Sequence, residues 1–239
     1  LGAYDPVEPC ALLAERFGLW LHIDGAWGAP VLFSETHKSL LKGCHLADSV
    51  SWDAHKLMNV PMTAAVILVR EKGLLRDACS GGGGDYLFHS DQNADYNLGE
   101  RSIQCGRRAD ALKVWMSWKS IGNLGFARKI DQLQQLRADF VELIEQRDDF
   151  ELLHTPTYLN VLFRYRSERI VDEEHAKRLT VALCQQLKER DISFTDRSVC
   201  KGRNGVRLIL ANQQIELSQL SALLDACSAI CNELLDQGI

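Results

Sequence analysis

Apolar residues recur at two spacings along the chain, and the spacing changes near its middle. Val7, Cys10, Ala11, Leu13, Ala14 and Phe17 step by threes and fours and predict a helix over 6–17. Asp5 and Pro6 read as its N-cap and first turn, and Gly18 as its stop. The run Leu19-Trp20-Leu21-His22-Ile23 is short and apolar, as in a buried strand, and halts at Asp24-Gly25-Ala26-Trp27-Gly28. A mixed stretch over 30–44 carries a short helix around Glu35–Leu41. Next comes a second strand, Asp48-Ser49-Val50-Ser51-Trp52, which leads into Asp53-Ala54-His55-Lys56. A third run, Thr63 to Val69, follows almost at once. This alternation is that of an α/β domain with a mostly parallel sheet.

Further on, 71–79 reads as a short helix, and Ser80-Gly81-Gly82-Gly83-Gly84-Asp85-Tyr86 then breaks all periodicity. Consecutive glycines are costly to order, so Ser80 to Asn97 is expected to be mobile, as a linker or as a functional loop. A helix over 108–120 is expected to end at Gly122. A longer one over 125–147 carries Phe126, Ile130, Leu133, Leu136, Phe140 and Ile144 on one stripe. A domain boundary at its start gives 1–124 and 125–239. Beyond it, strands at 150–153, 159–165, 192–195 and 206–211 alternate with helices at 173–189 and 216–235. That order describes a small α+β layer.

Composition narrows the partners. The 239 residues are 46% hydrophobic and 25% charged, enough apolar content for a sizeable core. A net charge of −5 argues against a nucleic-acid or anionic-membrane surface. No apolar run approaches the roughly 20 residues of a membrane helix. Eight cysteines are present without a Cys-x-x-Cys pair, which suits a reducing cytoplasm better than a disulfide framework and offers no metal-binding spacing.

The chemistry lies at the two strand ends. Asp24 closes one strand and Lys56 follows the next, and in open α/β sheets ligands bind beyond the carboxyl ends of the strands. An Asp–Lys pair of this kind is often only an N-cap and a surface charge. A lysine amine can also form a Schiff base with an aldehyde. Pyridoxal 5′-phosphate needs such a lysine, with an acid to keep its pyridine nitrogen protonated. Ala26, two positions after the acid, is small enough for a flat ring to lie close to the backbone.

The words His-Ile-Asp-Gly-Ala-Trp-Gly (22–28) and Asp-Ser-Val-Ser-Trp-Asp-Ala-His-Lys-Leu-Met (48–58) resemble the group II pyridoxal-phosphate-dependent amino-acid decarboxylases. The stretch Gln-Cys-Gly-Arg-Arg (104–108) is similar to the branch acting on glutamate, cysteine sulfinate or, in bacteria, aspartate. The resemblance implies fold type I, the aspartate-aminotransferase-like α/β fold. The chain would hold the end of the large, mostly parallel-sheet domain and a small C-terminal α+β domain. It implies α-decarboxylation of an acidic L-amino acid, with Lys56 as the cofactor's covalent anchor and Asp24 as the partner of its ring nitrogen. By the same resemblance His55 lies near the cofactor phosphate, and Ala26 lies against the ring. Tyr86, on a mobile loop, protonates the α-carbon, and Arg207 grips the substrate carboxylate. A homodimer is also implied, with the loop reaching the partner's site.

Two departures stand out. Animal members of the family carry Asn where this chain has Asp53, and an acid beside a phosphate dianion is repelled. Asp53 therefore either points elsewhere or hydrogen-bonds in its protonated form, and it receives no phosphate role. The chain also begins without Met, in mid strand-to-helix turn, whereas the family has a longer N-terminal segment. The C-terminal half of a larger protein is the expectation. Two other readings stay open: another fold-type-I enzyme, such as an aminotransferase or a lyase, and a non-catalytic fragment that only dimerises.

Overall fold

Connection lengths set the topology of the first sheet. A computed structural model of the protein describes residues 1–79, 98–104 and 106–239. The expectations for Ser80 to Asn97, Tyr86 among them, and for Cys105 lie outside the described residues. The chain divides into two compact units, Asp5–Ala127 on one side and Leu1–Tyr4 with Arg128–Ile239 on the other.

In the first unit, helix α1 (Val7–Phe17) precedes strands β1 (His22–Asp24), β2 (Ser49–Asp53) and β3 (Ala65–Val69). β1 and β2 run parallel, because the chain between them is long enough to cross over. β2 and β3 are antiparallel, since residues 54–64 leave no room for a crossover helix. The described part of this sheet is therefore mixed, where the sequence suggested mostly parallel pairing. The order is β1-β2-β3.

Local details differ from the sequence reading in three places. Pro6, not Asp5, occupies the α1 cap, and no side chain caps the helix; the Pro6 carbonyl accepts the Cys10 N–H at 3.2 Å. Gly18 does end the helix, in the left-handed conformation at φ 60°. The helix expected around Glu35–Leu41 is replaced by three single 3₁₀ turns at Ala29–Phe33, Lys38–Leu41 and Cys44–Leu46. Beyond β3, the left-handed Gly73 (φ 99°) delays helix α2 to Leu74–Cys79.

The floor of this unit is a cluster of Ala54, Met58, Val60, Ala64 and Phe126, with Phe33, Trp52, Val114 and Trp118 packed against it. The rings meet edge-on or tilted, with Phe33–Phe126 and Phe33–Trp118 centroids both 5.2 Å apart. Helix α3 (Asp110–Glu145) contributes Trp118 and Phe126 and runs on past the division at Ala127. It consists of two helical stretches meeting at a kink, as the sequence suggested, with Gly122 (φ 70°, ψ 169°) non-helical between them at the break the glycine predicted.

The second unit has a four-stranded antiparallel sheet ordered β4-β5-β7-β6: β4 is Phe150–Leu152, β5 Asn160–Tyr165, β6 Asp196–Cys200 and β7 Arg203–Ile209. Helices α4 (Glu173–Glu189) and α5 (Leu217–Asp236) pack on each other and on this sheet. The strand expected at 192–195 instead forms over 196–200. Lys201 (φ 49°) and Gly202 (φ 80°) are both left-handed, which makes a tight two-residue hairpin turn and fixes Cys200 opposite Arg203. Ile192 and Phe194 remain exposed between α4 and β6.

Candidate active site

The loop after β2 is held from below. Ala54 and Leu57 are fully buried and Met58 nearly so, which leaves His55 and Lys56 on the opposite side. The Lys56 N–H donates to the Asp53 carbonyl at 3.0 Å, and the Asn59 N–H to the Lys56 carbonyl at 3.1 Å. The Lys56 side chain is 43% exposed, and its Nζ lies 2.9 Å from Asp53 Oδ2. His55 is fixed at two points. Its N–H donates to the Ala64 carbonyl at 3.2 Å, and its Nδ1 accepts the Ala64 N–H at 3.1 Å. With Nδ1 an acceptor, the neutral ring carries its proton on Nε2, which sits 4.0 Å from Asp53 Oδ2.

Asp24 ends β1 one strand away, in register with Ser51 of β2. Its Oδ1 accepts the Ala26 N–H at 3.0 Å and the Ser51 hydroxyl at 3.3 Å. Both donors are neutral, and among the described residues no cation pairs with Asp24. Although it ends a strand whose apolar run suggested burial, Asp24 is exposed in this chain. Gly25 next to it is buried and tightly enclosed: a Cβ there would lie 2.8 Å from the Ser51 carbonyl and 2.9 Å from the Ala29 Cβ. Glycine is what lets β1 turn away directly against β2.

Asp24, Ala26, His55 and Lys56 thus share the carboxyl-end side of one parallel strand pair. The donor set suits pyridoxal phosphate: an amine for its aldehyde, and an acid without a cation for its protonated ring nitrogen. Asp53 is the residue that sequence reasoning left without a role. Its signal was its place three residues before the lysine, on the same turn.

Arg207 belongs to the second unit, in β7, which lies between β5 and β6. It faces Leu162 on one side and Asp196 on the other. Its Nε is buried without a hydrogen-bond partner, and no hydrogen bond or ion pair joins its guanidinium to a described residue. The Asp196 carboxyl is held below its ordinary range first by the Arg197 N–H and then by Lys188, with Arg207 a lesser influence. A half-buried guanidinium left this open can receive a carboxylate.

A lysine and an acid at adjoining strand ends, over a sheet with this crossover, are an arrangement that suits a carbonyl cofactor on an α/β fold. The chain belongs to the pyridoxal-dependent decarboxylase family, whose conserved domain matches residues 1–166. It is 35% identical to the cysteine sulfinic acid decarboxylase of Homo sapiens over 246 residues, covering 98% of this chain and 50% of that protein. It is 42% identical over 167 residues to the acidic amino acid decarboxylase GADL1 of Bos taurus, covering 69% of this chain and 32% of that one. The crystal structure of mouse CSAD in apo form superposes with a TM-score of 0.88 at 31% identity, over 96% of this chain and 49% of that chain. The chain spans about half the length of the curated relatives it matches. The fold is type I, as the sequence resemblance implied.

Proposed function

We propose that the full-length protein decarboxylates an acidic L-amino acid, such as glutamate, aspartate or cysteine sulfinate, to the amine and carbon dioxide. The observation that carries this reading is that Lys56 follows the end of β2 while Asp24, with no cation on it among the described residues, ends the parallel neighbour β1. The kinship with proteins named for cysteine sulfinate and acidic amino acids supports the substrate class.

When bound, pyridoxal phosphate would supply an aldehyde for the amine and a protonated ring able to accept the electron pair left on the α-carbon as carbon dioxide departs. Asp24 would hold the proton on that ring nitrogen, its carboxylate tied to Ala26 and Ser51. Lys56 would give the covalent anchor, and His55, clamped at Ala64, would offer its Nε2–H to the phosphate. Arg207 binds a substrate carboxylate in two-pronged fashion. Tyr86 returns a proton to the α-carbon, the role the resemblance implies for it, and the protein works as a homodimer.

The deciding experiment is borohydride reduction of the full-length holoenzyme, followed by peptide mapping and product analysis with the three substrates. A pyridoxyl label on Lys56, with amine and carbon dioxide formed in equal amounts, is the expected outcome. A label on another lysine sinks the site. A keto acid product in place of the amine makes the protein an aminotransferase instead.

A further inference from the structure

Asp53 is the acid in direct contact with Lys56. It ends β2 in register with Ala65 of β3, so its backbone is fixed by the sheet. The turn from its carbonyl to the Lys56 N–H brings the two side chains side by side. The carboxylate is only 18% exposed and the amine 43%, so the acid is the more enclosed of the two. The other nearby N–H donor, His55 Nε2, is 4.0 Å from the same oxygen, and its ring is already held by Ala64. At 2.9 Å, the Nζ–Oδ2 contact is a charge-assisted hydrogen bond.

A lysine that anchors a carbonyl cofactor does not stay bonded through turnover. The carbon–Nζ bond breaks as the substrate nitrogen bonds the same carbon, and two protons pass from that nitrogen to Nζ. The bond re-forms when product leaves. Between those events the released amine needs a fixed place within reach. We propose that Asp53 is a positioning residue that takes up the Lys56 amine whenever it is not bonded to the cofactor, holding it at the strand end for its return. This rests on Lys56 being the anchor, as argued above, and gives the acid that stands where the family's animal members carry Asn a role away from the phosphate.

The test uses the cofactor-free full-length protein. Trace acetylation with acetic anhydride at neutral pH, read by peptide mass, compares Lys56 with the exposed Lys72, Lys119 and Lys201 as internal standards. In Asp53→Asn, which keeps the shape of the side chain, Lys56 is expected to acetylate about two- to fivefold faster relative to the standards, the scale of a partly exposed ion pair. Asp53→Glu, which restores the charge, is expected to bring the rate back toward wild type. An unchanged Lys56 rate overturns the proposal. So does a rise shared by all four lysines with a lower melting temperature, which marks general loosening. Borohydride mapping of the reconstituted variant separates the two readings. A pyridoxyl label on Lys56 with unaltered acetylation removes only the role of Asp53, whereas a label elsewhere removes the anchor on which the proposal rests.

Discussion

At the scale of single residues, the proposed function and stability pull in different directions at Arg207. Among the described residues its Nε is buried without a partner, so the fold gains nothing there from that group's hydrogen-bonding capacity. Arg207→Met keeps much of the aliphatic bulk and removes the guanidinium. Loss of a charge-assisted pair with a carboxylate costs about 1.5–3 kcal/mol, roughly a 10- to 100-fold fall in kcat/KM for an acidic substrate. The melting temperature is expected to hold or rise. Steady-state kinetics and a thermal melt of the same variant check both halves, and a lower melting point with unchanged kinetics would make Arg207 structural. Lys56 and Asp53 are the converse case: the lysine has its partner within the fold, 2.9 Å away.

At the scale of elements, the β1–β2 junction places Asp24, and Gly25 is what allows the approach. A methyl at Gly25 meets the Ser51 carbonyl at 2.8 Å and the Ala29 Cβ at 2.9 Å, and backbone cannot yield as a flexible side chain does. Gly25→Ala is expected to destabilise the protein by about 1–3 kcal/mol, as overpacking does. For a chain of this size that lowers the melting temperature by roughly 2–4 °C per kcal/mol. Moving β1 away from β2 also loosens the Ser51 bond to Asp24, so cofactor affinity is expected to fall with stability. Calorimetry and a pyridoxal phosphate titration would measure the two effects together, and a wild-type melt would show that the junction can relax.

At the scale of the whole molecule, charge networks make stability depend on pH. Glu151 accepts from Arg164 at 2.7 Å and from Arg203 at 2.6 Å, and Glu173 accepts from Arg164 at 2.7 Å. The Asn204 N–H adds a fourth bond, to Glu173. These contacts tie β4, β5, β7 and α4 into one framework. Burial pushes both carboxyls up, but the hydrogen bonds outweigh it and hold each below the ordinary glutamate range. Asp149, bonded to Arg147, is lowered as well. A carboxyl lowered on folding contributes stability that is present above its unfolded value, about 4.3 for glutamate, and is lost as pH falls through the folded value. Stability is therefore expected to decline on acidification below about pH 4.5. Glu151→Gln should be less stable at pH 7 and should show a shallower loss in acid, which denaturant melts across pH 3–7 would reveal. Parallel acid limbs for the two proteins would exclude Glu151 as a contributor.

Much of this was legible in the sequence, and the reason is periodicity. Helices α1, α4 and α5, the strand cores and the break at Gly122 follow from local spacing and from glycine's freedom, which need no tertiary partner. The words around Asp24 and Lys56 marked the residues proposed as anchor and acid, and the structure sets both at the ends of adjoining strands. The sheet and its partners decided the rest. β6 began four residues later than its apolar signal, because the Lys201–Gly202 turn and pairing with β7 fix register while Ile192 and Phe194 stay outside. β3 ran antiparallel because its connection was too short to cross over. The open guanidinium of Arg207 and the Asp53–Lys56 pair depend on what the folded chain brings, or fails to bring, within bonding distance. Sequence spacing fixes which residues can share a face or a turn, but a side chain's partner is a property of three-dimensional packing.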